Sequence, residues 1–275
     1  MLRETVLEYY REHPDEAMPY REELRRLEAC DDDYMAAYPY DFYDRHMRDY
    51  QSVEVRHENG LPWVLHRGRR LFFPAFWSDH LVRYKYRYLC MEQDPESPHC
   101  YLTPELCRRR FCALIDAGCA EGMLTLEMID EVERTILVEC DPDWLPPLEA
   151  TFAPWKEKAA ILPCKLSDDE GDGSVTLDSL ARQYELQNAL LKMDIEGYEA
   201  QALAGAGDLA DYASAVLCCA YHRAGDAVIL YDALARHGYH LSFSRGYMLF
   251  SSPPAHLLLP GPPYFRKGLL RGNVF

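Results

Sequence analysis

Phe111-Cys112-Ala113-Leu114-Ile115-Asp116-Ala117-Gly118-Cys119-Ala120-Glu121-Gly122 is the stretch from which the rest of the chain can be read. A short apolar run ends on an acid, turns through two glycines and opens a helical pattern over 124–129. Downstream, strand and helix alternate. Apolar runs at 135–139, 159–162, 189–194 and 213–220 read as strands, and 144–152, 177–184, 200–204 and 227–237 read as helices. Repeated βα units of this length predict an α/β fold with a parallel sheet covered on both faces and right-handed crossovers. Two last strands, 239–243 and 247–250, are joined at Arg245-Gly246 and would leave one antiparallel strand in the sheet.

Upstream, the rhythm differs. Residues 1–110 read as short helices, then a hairpin-like stretch turning at Asn59-Gly60 and Arg67-Gly68, then a helix capped by Ser78. We therefore expect an N-terminal lid or dimerisation region over 1–110, a catalytic-type domain over 111–252 and a basic, aromatic tail over 253–275. With 48% apolar residues the chain has ample material for a core.

Twenty-nine Lys and Arg against 45 Asp and Glu give a net charge of −16. Such a surface repels phosphate backbones, which argues against nucleic acid as a partner. The charge is uneven: residues 61–115 and 216–275 each carry +4, and 116–215 carry −16. The basic flanks leave room for an anionic acceptor. No stretch approaches the ~18–20 apolar residues of a membrane span, and the charged start does not read as an export signal. A cytoplasmic, reducing setting is expected, in which ten cysteines are thiols. Cys90, Cys100, Cys107 and Cys112 with His99 match no zinc spacing, and Cys218-Cys219 reads as core packing. Asp194 and Glu196 form a carboxylate pair without a third ligand in the pattern, so no metal is expected.

Two segments carry the chemistry. The glycine loop offers free N–H groups at a helix start, and Glu139 follows Asp116 by 23 residues at the end of the next strand. That spacing suits a carboxylate accepting both hydroxyls of a ribose. The loop lacks Gly-x-Gly-x-x-Gly, and an acid before its glycines suits a cofactor bearing an amine rather than a pyrophosphate; an ordinary βα turn has the same outline. Lys192-Met193-Asp194-Ile195-Glu196-Gly197-Tyr198-Glu199 places three acids where open α/β sheets bind ligands. Asp194, Glu196 and His222 are candidate general bases. The polar run from Glu92 through His99 to Tyr101 reads either as a lid or as a plain Ser-Pro loop.

The loop, Glu139-Cys140-Asp141-Pro142, Thr176-Leu177-Asp178, Lys192-x-Asp194-x-Glu196-Gly197-x-Glu199 with Leu203-x-Gly205, and Tyr221-His222 occur in that order. Together they resemble the FkbM family of S-adenosylmethionine-dependent methyltransferases over about residues 111–250. The resemblance implies a Rossmann-like class I methyltransferase sheet and S-adenosyl-L-methionine as cofactor. By the same resemblance Asp116 and Gly118 line the methionine end, and Cys119, Ala120, Glu121 and Gly122 of the loop bind the cofactor. Glu139 holds the ribose, Cys140 and Asp141 flank the adenine, Ser167 and Asp168 reach its edge, and Asp194 sits near the methyl. The family loop commonly reads Gly-Ala-Asn-x-Gly, whereas this one reads Gly118-Cys119-Ala120-Glu121-Gly122, so the contact of the missing amide falls to Glu121 or Tyr101. The implied activity is O-methylation of a hydroxyl on a sugar, glycan precursor or small metabolite. Arg266 and Arg271 are candidate contacts to an anionic acceptor. A nicotinamide-dependent oxidoreductase and a non-catalytic binding protein are the alternative readings, and a homodimer is a candidate assembly.

Overall fold

A computed structural model describes residues 2–29, 37–171, 173–249 and 261–274. Seven strands form the main sheet: β1 (Ala113–Ala117), β2 (Arg134–Val138), β3 (Ala159–Leu162), β4 (Ala189–Met193), β5 (Ala213–Cys219), β6 (His240–Phe243) and β7 (Leu269–Asn273). Their spatial order is β3-β2-β1-β4-β5-β7-β6. Strands β1 to β5 pair in parallel, and β7 runs antiparallel to both β5 and β6. This is a Rossmann-like α/β sheet, mostly parallel with one antiparallel strand.

The period-2 alternation of side chains sorts the central strands between two faces. Ala113, Ile115, Ala117, Leu191, Met193, Val216 and Cys218 enter one apolar cluster, packed under Leu177, Leu203, Leu230 and Leu234. Leu114, Leu190, Leu217 and Cys219 enter another, with Leu124 and Met128. On that second face the next residues along β1 and β4 are Asp116 and Lys192, which are register partners. The polar site thus begins where an apolar face ends.

Two expectations need correction. The antiparallel strand is not 247–250: Met248–Leu249 pairs with Phe265–Arg266 in a separate two-stranded ribbon, and Phe250 lies outside the described residues. The sheet is instead completed by Leu269–Asn273, from the segment read as a basic tail. Leu269 and Leu270 are fully buried there, which the basic residues before them obscured.

The N-terminal region is also not simply a cover above the sheet. Its hairpin strands, Arg56–Glu58, Leu61–His66 and Arg69–Phe72, turn at Asn59-Gly60 and Arg67-Gly68, all four residues at positive φ as two-residue hairpin turns require. Val64, Leu71 and Phe73 pack into one core with Leu126, Leu137, Leu148 and Phe152 of the βα domain. Within this region, helix α1 (Asp79–Glu92) starts at Ser78, whose hydroxyl accepts the Leu81 N–H at 3.3 Å. It delivers residues 92–101 to the C-terminal ends of β1 and β4.

Leu270→Ala is expected to lower the unfolding free energy by ~2–5 kcal/mol, as for other large-to-small changes at buried leucines. Urea denaturation followed by circular dichroism measures it; a change near zero would mean that β7 adds little to the sheet.

Candidate functional site

Gly118 makes the first turn after β1 with φ of +66°, and a Cβ there would lie 1.8 Å from the Asp194 carbonyl oxygen. Only glycine lets these two strand ends approach so closely. The Asp194 N–H donates to the Ala117 carbonyl at 3.0 Å and closes the same junction. Gly122 has a different task. Its φ of +76° starts helix α2 (Met123–Met128), and a Cβ would meet Phe152 rather than a ligand.

Across this junction lies a buried ion pair. Lys192 Nζ stands 3.1 Å from Asp116 Oδ1, with side chains 5% and 1% exposed. Nζ also donates to the Gly118 carbonyl at 2.7 Å, and Thr125 Oγ1 donates to Asp116 Oδ2 at 2.7 Å. Burial would lower the lysine pKa, but Asp116 and then Asp194 outweigh it and hold the ammonium charged.

Above the pair is a cavity of about 110 Å³, bounded by Asp116, the loop 118–121, Lys192 and Asp194 from the sheet, and by Glu92, His99 and Tyr101 from the N-terminal region. Asp116, Gly118, Cys119, Ala120, Glu121, Asp194 and Tyr101 are therefore brought together around one cavity. Lys192, Glu92 and His99 join them. The sequence pattern gives Lys192 a place in its motif but no role, and the density of polar groups over 92–101 is the available signal for the other two. Burial pushes the Glu121 carboxyl up to about 7.

Asp194 is the hub. Tyr101 Oη donates to its Oδ2 at 2.8 Å and Tyr221 Oη to its Oδ1 at 3.1 Å. His99 Nε2 lies 3.5 Å from Oδ2 and His222 Nε2 lies 3.2 Å from Oδ1. Burial alone would raise the Asp194 carboxyl; His222, His99 and Lys192 outweigh it and hold it well below the usual carboxylate range.

His222 does not line the cavity. Its ring is 5% exposed and wedged between Asp194 and Glu199, with Nδ1 3.0 Å from Glu199 Oε1. Burial opposes its charge, but Asp194 and Glu199 prevail and lift its pKa to about 10. An imidazolium at neutral pH cannot accept a proton, so the general-base expectation for His222 is corrected. Asp194, saturated by donors, is likewise a fixed anion rather than a base. Glu196 sits in left-handed backbone at φ +56° with its side chain 89% exposed and outside the cavity.

The residues expected on the nucleoside side lie along the neighbouring strand ends. Glu139 is buried and its two oxygens accept the Ala120 and Asp141 N–H groups at 2.9 and 2.8 Å. Each oxygen retains a second lone pair. Cys140 and Asp141 are exposed, and Asp141 caps the following turn through the Asp143 N–H. Asp168 accepts Gln201 Nε2 at 2.8 Å, and Ser167 Oγ donates to Asp169 at 2.9 Å; neither borders the cavity. The expected acceptor contacts are corrected too. Arg266 Nη1 donates to the Tyr221 and His222 carbonyls at 2.7 and 2.9 Å, and Arg271 Nη2 to the Cys100 carbonyl at 2.5 Å. Both guanidinium groups brace backbone around the site. Among the described residues, no helix is long and apolar enough to cross a membrane.

Because the pKa of His222 is raised on folding, its contribution to stability is complete below its ordinary value of 6.5 and is lost as pH rises through about 10. The stability gap between wild type and His222→Gln should therefore narrow from about pH 6 to about pH 10, measured by denaturant titration at each pH. A gap independent of pH would remove the charged assignment.

No protein-family description and no curated protein matches this chain. Among solved structures, it is similar to methyltransferase FkbM from Methylobacillus flagellatus, at 18% identity and a TM-score of 0.48, over 71% of this chain and 55% of that one. The chain thus spans about half the length of that protein. It is also similar to a precorrin-6y C5,15-methyltransferase from Geobacter metallireducens, at 9% identity and TM-score 0.39, over 60% and 82% of the two chains. A third similarity is to a TehB-like SAM-dependent methyltransferase from Corynebacterium glutamicum, at 15% identity and TM-score 0.37, again over 60% and 82%.

Proposed function

We propose that this protein is an S-adenosylmethionine-dependent methyltransferase that methylates a hydroxyl group on a sugar, glycan precursor or comparable small metabolite. One observation carries the reading: an acid-walled cavity at the ends of β1 and β4, beside a buried glutamate at the end of β2 with lone pairs to spare.

The residues present fit that cofactor. At 110 Å³ the cavity is smaller than the ~300–1,000 Å³ typical of whole-ligand sites, and suits an amino-acid end rather than a nucleoside. Glu92, Asp116 and Asp194 face the cations Lys192 and His99, and Glu121, with its carboxyl near 7, adds part of a further negative charge, so the balance favours a ligand carrying positive charge. Glu139 would accept the ribose hydroxyls through its remaining lone pairs, with the exposed Cys140 and Asp141 beside the base. The cofactor supplies an electrophilic methyl group.

The chain's own part is positioning. In-line attack requires the reacting oxygen and carbon at about 3 Å, so a rigid wall is worth more than a mobile one. Asp194, held by four neighbours, presents a fixed anion to the cavity. Tyr101 and His99 close the side opposite the sheet and exclude water. Glu121, with its carboxyl near 7, is the cavity group best matched to exchange a proton near neutrality. The same charge balance, and the occupation of Arg266 and Arg271 by carbonyls, favours a neutral polyol over an anionic acceptor.

Calorimetric titration should show S-adenosylmethionine binding, weakened by ~1–3 kcal/mol in Glu139→Ala through loss of the ribose contacts. A panel of sugars and small metabolites should then show a mass gain of one methyl. Binding of NAD in place of S-adenosylmethionine would overturn the proposal, and an unchanged affinity in Glu139→Ala would remove the ribose assignment.

A further inference from the structure

Behind the cavity wall, Cys219 is fully buried at the end of β5, and nothing in the proposed methyl transfer uses its thiol. The strand register explains its neighbours. Cys218 pairs with Met193, so one residue further on Cys219 comes level with Asp194, on the face shared by Leu217 and Leu190. The loop 97–101 brings His99 and Tyr101 over the same point.

Four different donor atoms meet there. From His99 Nε2, the Tyr101 hydroxyl is 3.4 Å away, Asp194 Oδ2 is 3.5 Å and Cys219 Sγ is 3.7 Å. The Tyr101 hydroxyl is 2.8 Å from Asp194 Oδ2 and 3.8 Å from Cys219 Sγ. The ligand atoms of His99, Asp194 and Cys219 all lie within 4.8 Å of one another. The two oxygen separations from His99 Nε2, 3.4 and 3.5 Å, exceed the usual ~2.5–3.2 Å of N–H···O bonds, whereas Tyr221 Oη lies within it at 3.1 Å and the contacts to Cys219 Sγ are ordinary for the larger sulfur. Five of the six edges between these four atoms, 2.8 to 3.8 Å, are also those of a distorted tetrahedron. A regular tetrahedron with edges near these values places its centre about 2.1 Å from each vertex, within the ~2.0–2.3 Å range of zinc bonds to nitrogen, oxygen and sulfur.

We propose that His99, Asp194 and Cys219 form a binding site for a tetrahedral borderline divalent cation, zinc in the first instance, with Tyr101 at an exchangeable fourth position. One imidazole, one carboxylate and one thiolate match zinc rather than the all-oxygen shells of magnesium or calcium. Three firm protein ligands and one weak position are the composition of zinc sites that admit a further oxygen ligand. Binding sends the Cys219 thiol proton to solvent and needs the His99 Nε2 lone pair. Asp194 and the thiolate then set two negative charges against the ion, with Lys192 and His222 as the neighbouring cations that Asp194 also faces. His99, Tyr101 and Asp194 all border the cavity, so the fourth position faces it. An acceptor hydroxyl replacing Tyr101 there would be acidified by the ion.

The test uses the full-length protein without any methyl donor, so its outcome is separable from that of the methyltransferase reading. Metal-stripped protein is titrated with cobalt(II), whose spectrum reports both geometry and sulfur ligation. We expect one equivalent to bind with intense tetrahedral d–d bands and a thiolate-to-cobalt charge-transfer band, and zinc to displace it. Cys219→Ser should abolish the charge-transfer band, and His99→Ala should weaken uptake at least tenfold. Cys107→Ser, which alters an exposed thiol, should leave both unchanged. Absence of the charge-transfer band in the wild type overturns the proposal whether or not the variants fold. So does its persistence in folded Cys219→Ser, or uptake that responds only to Cys107→Ser.

Discussion

Lys192 and Asp116 face one another across adjacent parallel strands, and the site is arranged around the need to keep that pair satisfied. Breaking one partner of such a buried pair typically costs ~3–5 kcal/mol, because the other charge is left without water or counter-charge. The ammonium therefore also takes the Gly118 carbonyl, and the carboxylate takes the Thr125 hydroxyl. Those bonds fix the loop after β1 and the start of α2. Gly118 can then lie against Asp194 with no room for a side chain. The position of the cavity wall is a consequence of where two opposite charges can be buried together.

A second arrangement is stacked on the first. Asp194 is one strand residue beyond Met193, and the charge at Lys192 alone would not hold its carboxylate. His222 supplies a further cation, itself shared with Glu199, whose Oε1 also accepts the Ile195 N–H at 2.9 Å. Acid, imidazolium and acid thus alternate from the cavity inward to helix α3 (Glu199–Ala204). Every added charge finds an opposite one, so a carboxylate can be both buried and ionised.

Much of this was legible in the residues. The alternation of apolar runs with helical stretches carried the parallel sheet, and Asp116, Glu139 and Asp194 at successive strand ends marked the site's edge. Period 2 could also have placed Asp116, Lys192 and Cys219 on one face. Two things were not legible. The antiparallel strand comes from Leu269–Asn273, where basic and proline-rich neighbours mask two buried leucines; local pattern pointed to 247–250 because it sits closer in sequence. The roles of His99 and His222 depend on partners about 95 and 28 residues away from each in the chain, and separation of that kind leaves no periodic trace. A histidine beside Asp194 reads as a base until the second carboxylate, Glu199, is seen on its far side.

The strand β7 does more than fill a gap between β5 and β6. Gly268 lies against the Pro98 carbonyl, Ser244 donates to that carbonyl at 2.6 Å and accepts the Leu269 N–H at 3.0 Å, and Arg271 holds the Cys100 carbonyl. The segment carrying His99 and Tyr101 is thus pinned by residues about 170 positions further along. During synthesis from the N-terminus, β1 to β5 can pair while that segment still lacks its anchors. Assembly of the site is thereby timed to the latest pairing in the sheet, and a nascent chain would carry the fold's parallel half well before it carried a closed cavity.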